Sequence, residues 1–200
     1  MDLHLKASIM SSFIELAITH PIDYLKTLKQ NNVKSPLTIL KQNPYIGIKS
    51  KLYGNLPMRL IFWNSIEYGK NNNLSKIEAS LLGATLQTVV DYPIEIYKIN
   101  KMNKNSLNKL FLPSFGFHYL RNVGFTLTFI SLSPINPALA GMTGALITQP
   151  LDCLKTYYQS GNIKYPTTWN IKDYFKGSIF RCSISFISMG IGNYIFNKLK

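Results

Sequence analysis

Three copies of one short motif place charged residues inside otherwise apolar stretches of this chain. The copies are PIDYLK at residues 21–26, PIEIYK at 93–98 and PLDCLK at 150–155, and all read P-x-[DE]-x-x-K. In a helix, an acid and a base three residues apart lie one turn apart on the same face, where they are placed for ion pairing. The prolines remove one backbone hydrogen bond each and predict helix kinks at Pro21, Pro93 and Pro150.

The surroundings of the motif repeat as well, which divides the chain into repeats at about 1–73, 74–135 and 136–200. An apolar stretch precedes each motif, and a Lys- and Asn-rich stretch follows it. A glycine behind an aromatic residue and a second apolar stretch with one early arginine complete each repeat. We therefore predict an all-α protein with long helices near residues 7–30, 56–71, 75–102, 115–133, 137–160 and 176–198.

Pairs of small residues precede each proline by thirteen and nine positions. Small side chains at these positions predict helix faces on which a neighbouring helix approaches closely. The pairs are Ser8 with Ser12, Ser80 with Ala84, and Pro137 with Gly141.

The charge of the chain points to an anionic partner. Lys and Arg number 22 against 9 Asp and Glu, a net charge of +13, which suits nucleic acid, phospholipid or an anionic solute. The basic residues cluster in the loops after the three motifs, while residues 123–149 carry no charge. This distribution predicts six membrane spans with both termini on the less basic side. A soluble helical protein that binds nucleic acid is the alternative, but it leaves the proline motifs unexplained and lacks interleaved aromatic and basic residues.

On these motifs the chain resembles the mitochondrial carrier family, whose members have three tandem repeats with P-x-[DE]-x-x-[KR] on the first helix of each. The resemblance implies six transmembrane helices in pseudo-threefold repeats with short matrix helices, the first at residues 35–43. It also implies a monomer in the mitochondrial inner membrane, with termini toward the intermembrane space and no cofactor. The acid of one repeat would pair with the base of the next to close a matrix gate: Asp23 with Lys98, Glu95 with Lys155, and Asp152 with Lys26.

The resemblance assigns further roles by position. Gln30 and Gln159 would brace the gate, and helix starts at Gly54 and Gly177 would bind cardiolipin phosphates through free backbone N–H groups. The family's substrate contacts fall on Ile61, Val123 and Ile184.

The residues themselves indicate additional substrate contacts. Arg59, Arg121 and Arg181 recur once per repeat and predict a cationic ring for a phosphorylated or carboxylated solute, with lipid headgroups as the alternative partner. Thr19, Asp91 and Thr148 stand two residues before the prolines, and Asp91 is an acid in an apolar stretch without an obvious partner.

We therefore expect a transporter that exchanges a small anionic metabolite, nucleotide-like by preference, through alternating access. The alternative is a degenerate carrier that serves as a membrane binding protein or scaffold, because the helices are short for the family. The second-helix motif that closes the cytoplasmic side in the family is incomplete, which predicts a resting state open to that side. Scattered histidines at positions 4, 20 and 118 predict neither an enzyme nor a metal site.

Overall fold

The structure is a computed structural model that describes residues 3–30, 41–45, 48–102, 112–159, 167–168 and 170–199. All regular secondary structure in these ranges is helical, so the all-α prediction is confirmed. The helices are α1 (Leu3–Gln30), α2 (Ile48–Asn71), α3 (Lys76–Met102), α4 (Leu112–Leu132), α5 (Pro137–Ile147), α6 (Gln149–Gln159), α7 (Ile171–Tyr174) and α8 (Ser178–Leu199).

The long helices form a closed ring. Each packs on its neighbour in the sequence, from α1 through α2 and α3 to α4, which contacts both α5 and α6. Helix α8 packs on α5 and also on α1, and this last contact closes the ring. Leu74 and Pro134, in the short connections after α2 and α4, line the same cavity. Residues 72–75 and 133–136 therefore lie at one end of the ring, here called the short-loop end. The P-x-[DE]-x-x-K motifs lie toward the opposite end, the motif end.

Two predicted helices differ from the structure. Helix α2 begins at Ile48, eight residues before the predicted start, and continues through Pro57. The third motif helix is interrupted at Thr148, whose φ of −88° and ψ of 4° end α5 two residues before Pro150. Helices α1 and α3 instead continue through Pro21 and Pro93. The predicted helix at residues 35–43 lies mostly outside the described residues.

Helices α1 and α3 carry apolar side chains on their outer faces and polar side chains on their inner faces. On α1, the exposed large hydrophobic side chains are Met10, Phe13, Ile14 and Ile18, and the buried side chains include Ser11, Ser12, Glu15 and Thr19. On α3, the exposed side chains include Ile77, Leu81, Leu86 and Val89, and the buried ones include Ser80, Gln87, Thr88 and Asp91. Water-soluble bundles bury their apolar stripes, so these two helices have the opposite polarity.

One segment of the described chain, Ile171–Lys198, is long and apolar enough to cross a membrane by length and composition. The prediction of six such spans is not supported on this criterion. The physical reason is the polar inner face of the other helices, since buried groups such as Glu15 and Asp91 lower the mean hydropathy of α1 and α3.

An aromatic cluster fills the interior toward the short-loop end. It consists of Phe62, Trp63, Ile66, Phe129, Ala140, Met189 and Phe196. The Trp63 ring stacks on Phe196 with centroids 5.4 Å apart and meets the edge of Phe129 at 5.9 Å. The incomplete charged motif of the second helices predicts a resting state that is open at this end of the ring. In the described residues it is instead closed by packed aromatic rings.

Small residues bring α5 close to α8, as the sequence predicts. A Cβ atom added to Gly141 would lie 2.5 Å from Met189 Cγ and 2.7 Å from the carbonyl oxygen of Ser185. Ser80 and Ala84, the small pair of α3, are also buried. Close helix packing of this kind leaves no room for larger side chains at these positions.

Candidate functional site

The three arginines predicted to form a cationic ring line one cavity. This arginine cavity has a volume of about 120 Å³ and is lined by Met58, Arg59, Phe62, Gln87, Arg121, Asn122, Phe125, Arg181, Ser185 and Met189. The arginines come from α2, α4 and α8, one from each predicted repeat. The cavity lies between the aromatic cluster, with which it shares Phe62 and Met189, and the charged residues of the motif end.

Arg59 is bound to a carboxylate that the sequence did not single out. Its Nη2 lies 2.6 Å from Glu15 Oε1 on α1 and donates to Ser188 Oγ on α8 at 2.6 Å. Ser188 in turn donates a hydrogen bond to Glu15. Glu15 is buried, so the two opposite charges compensate each other where water is scarce.

Arg121 bridges two acids from different motif helices. Its Nη2 lies 3.5 Å from Asp91 Oδ2 on α3, and its Nη1 lies 3.4 Å from Asp152 Oδ1 on α6. Asp91, for which the sequence shows no obvious partner, therefore has a cationic partner in the structure.

Arg181 has mainly neutral acceptors. It donates to Thr148 Oγ1 at 2.8 Å and to Gln149 Oε1 at 3.2 Å, while its closest carboxylate contact, Nε to Asp152 Oδ2, is 3.9 Å. Of the three arginines, Arg181 has the least compensated charge among the described residues.

One of the three predicted inter-repeat ion pairs lies in the described part of the chain. Lys155 Nζ lies 2.7 Å from Glu95 Oε2, and the same amine is 3.4 Å from Asp152 Oδ1 in its own motif. Lys155 is only 5% exposed. The role of this pair in a gate stays a prediction. The side chains of Asp23, Lys26, Lys98, Gln30 and Gln159 lie outside the described residues, so the other two pairs and the glutamine braces also stay predictions.

His118 lies beside this pair, although no sequence motif singles it out. Its Nδ1 is 3.2 Å from Glu95 Oε2, and its Nε2 is 3.2 Å from Asp91 Oδ2. One ligand atom from each of the three side chains lies within 4.8 Å of the others. His118 comes two residues after Gly116 and has no counterpart in the other repeats, so no sequence pattern could have revealed the cluster.

The family-based substrate contacts are displaced from the cavity. Phe62, Asn122 and Ser185 line it, whereas Ile61, Val123 and Ile184, each one residue before or after, do not. Ile184 lines a smaller cavity of about 40 Å³ with Thr19, Glu15 and Arg59. Thr148 reaches the arginine cavity only through its hydrogen bond with Arg181.

The two predicted cardiolipin positions also differ from each other. Gly54 lies inside α2, beyond its first turn, so the prediction of a helix start there is wrong. The first four N–H groups of a helix have no partner within the helix, and the N–H of Gly54 is not one of them. Gly177 immediately precedes α8, with φ at +80°, a backbone conformation that glycine adopts without strain.

Comparison with known proteins gave no match to a family model, a curated protein or a solved structure. The resemblance to mitochondrial carriers therefore stays a prediction from the motifs.

Proposed function

We propose that the chain is a membrane transporter that moves a small anion across the mitochondrial inner membrane by alternating access. The observation that carries the proposal is the arginine cavity, to which each predicted repeat contributes one arginine at the centre of a closed ring of helices. Guanidinium groups bind phosphate and carboxylate groups through paired hydrogen bonds.

The surroundings of the cavity support a transport path. An ion-paired layer containing Glu95 and Lys155 covers it toward the motif end, and the aromatic cluster covers it toward the short-loop end. Separation of one layer at a time would open the cavity to one side of the membrane. A buried ion pair suits such a layer, because it contributes little net stability once desolvation is counted.

The polarity of the ring supports a membrane location for all of its long helices, the six spans of the sequence prediction. Exposed apolar residues such as Phe13, Val89 and Ile179 lie on three different helices. Polar groups directed inward are the arrangement expected of helices that surround a wet cavity in lipid.

The volume of the cavity bears on the substrate. Sites for drug-sized ligands occupy roughly 300–1,000 Å³, whereas this cavity of about 120 Å³ accommodates one phosphate or carboxylate group. A nucleotide, the substrate preferred at the sequence level, would require the helices to move apart.

The test is uptake by the full chain reconstituted into cardiolipin-containing liposomes, with radiolabelled phosphate, carboxylates and nucleotides as the panel. Arg181→Gln is expected to lower uptake at least about tenfold, as loss of a charged hydrogen bond predicts. Lys172→Gln, which removes an exposed cation from α7, is the matched control and should behave as wild type. Equal uptake by the two variants would contradict the proposal.

One observation favours the alternative of a non-transporting membrane protein. All three arginines of the cavity already have hydrogen-bond or ion-pair acceptors within the protein: Arg59, Arg121 and Arg181. They could therefore stabilise the helix ring without binding any anion. This alternative predicts no uptake of any panel anion and a loss of thermal stability in Arg181→Gln.

A further inference from the structure

His118 is held between two carboxylates in the interior of the ring. It is fully buried on α4, and Asp91 and Glu95 approach it from successive turns of α3. Each ring nitrogen faces a different carboxylate oxygen at 3.2 Å. The Tyr92 ring meets the imidazole edge-on, with centroids 5.7 Å apart.

Two carboxylates that face one imidazole leave a place for an additional proton. A neutral imidazole carries one N–H and one lone pair, so one of its two nitrogens would direct a lone pair at a carboxylate oxygen. In a buried place that repulsion is not screened by water. A proton bound between the ring and the two carboxylates would relieve this repulsion. Each ring nitrogen lies at ion-pair distance from a carboxylate oxygen, and neither contact has the geometry of a regular hydrogen bond.

A metal ion suits the same residues poorly. The two carboxylates lie at different nitrogens of the ring, so an ion bound to one nitrogen is directed away from the other acid. Both acids also contact fixed cations: Lys155 Nζ lies 2.7 Å from Glu95, and Arg121 Nη2 lies 3.5 Å from Asp91. A proton is the cation that fits this space.

We infer that Asp91, His118 and Glu95 form a proton-binding site, and that each transported anion is accompanied by one proton. This inference rests on the transport function proposed above. It names the coupling ion, and the proton is carried without any bond to the substrate being made or broken.

The charges around the cluster explain why proton and anion would bind together. The described groups that face it or its partners are three acids (Asp91, Glu95 and Asp152) and three bases (Arg121, Lys155 and Arg181). These charges cancel, so a proton on His118 leaves one positive charge uncompensated. Arg121 and Arg181 also line the arginine cavity, where an anion would restore neutrality. By linkage, each of the two ions raises the affinity for the other.

The site is closed in this structure, as coupling requires. His118 has no contact with solvent, and the pair of Lys155 with Glu95 lies beside it. The proton can therefore exchange with water only after the ion-paired layer separates, which is the same movement that would release the anion toward the motif end.

The first experiment measures phosphate uptake into liposomes containing the full chain, with the membrane potential clamped and an inward or an absent proton gradient. Wild type should take up phosphate severalfold faster with the inward gradient. His118→Asn should lose that acceleration, while His20→Asn, which replaces another buried histidine on α1, should keep it. Uptake by wild type without any response to the gradient, or a response retained in His118→Asn, would overturn the inference.

The second experiment does not depend on transport. The chain contains three histidines, so ¹⁵N-histidine labelling of the full protein in nanodiscs gives few signals, and the one missing in His118→Asn belongs to His118. Its two ring nitrogens should both carry hydrogen in wild type, and one should lose it in Glu95→Gln. A neutral ring in wild type would overturn the proton site. Absence of uptake together with a protonated ring would reject transport and retain the site.

Discussion

Lys155 on α6 lies 2.7 Å from Glu95 on α3, and this contact joins the second and third predicted repeats across the interior of the ring. Lys155 is almost fully buried, so removal of either partner leaves a charge that water cannot solvate. The pair thus holds two motif helices together as long as both members are present.

Separate replacement of the two partners should expose their coupling. Lys155→Met and Glu95→Gln are each expected to lower Tm in detergent by roughly 6 °C or more, because breaking a buried pair costs about 3 kcal/mol. The double variant should lose clearly less than the sum of the two, since neither charge is then left alone. Additive losses would show that the two residues do not interact.

Glu15 is predicted to stabilise the protein while it restrains anion binding. Glu15→Gln keeps an oxygen near Arg59 but removes the negative charge that lies 2.6 Å from it. We expect a lower Tm without ligand, because the ion pair is lost. Without the competing carboxylate, Arg59 should bind phosphate more tightly, so half-maximal thermal stabilisation should need a severalfold lower phosphate concentration.

The control for this change is Glu78→Gln, which alters an exposed carboxylate at the start of α3. It should leave phosphate binding unchanged. Weaker phosphate binding in Glu15→Gln than in wild type would mean that Arg59 needs its acid partner to be positioned for the anion.

Gly141 is predicted to tolerate no side chain. In Gly141→Ala, the new methyl group would lie 2.5 Å from Met189 Cγ and force α5 and α8 apart, which should lower Tm by several degrees. Gly116→Ala is the matched control, because a Cβ atom there meets nothing within 4 Å and alanine favours the helix. Its Tm should be equal to or slightly above that of wild type. Similar losses in both variants would contradict close packing at Gly141.

The outward apolar faces predict contact with lipid. A nitroxide label at Val89→Cys, in a chain whose Cys153 and Cys182 are replaced by Ala, should be relaxed by dissolved oxygen more than by a water-soluble nickel complex. Val89 is 62% exposed in the middle of α3. A label at Lys70→Cys, on the exposed end of α2, should show the reverse. Preferential relaxation by nickel at both positions would place the ring in water.

The sequence predicted those parts of the molecule that repeat. Helix α3 begins one residue from its predicted start, and Arg59, Arg121 and Arg181 meet at one cavity because equivalent positions of similar repeats come together at the centre of a ring. The start of α2 was misplaced because Gly54 and Pro57 indicate a helix boundary locally, whereas the structure holds both within one helix.

The site residues that the sequence analysis missed do not recur in the repeats. Glu15 and His118 have no counterparts in the other repeats, and their partners come from tertiary contacts, up to 173 residues away for Ser188 and Glu15. Single polar residues in apolar stretches can equally be surface groups. Only the positions of their partners show that these two are buried and charge-compensated.

The aromatic cluster has a spectroscopic consequence. The chain contains two tryptophans, and Trp63 stands within this cluster, 1% exposed and stacked on Phe196. Any opening at the short-loop end must separate these rings and admit water to the indole, which would shift its fluorescence emission to longer wavelength. In a Trp169→Phe background, the protein would therefore report optically, and without an attached dye, how often that side opens.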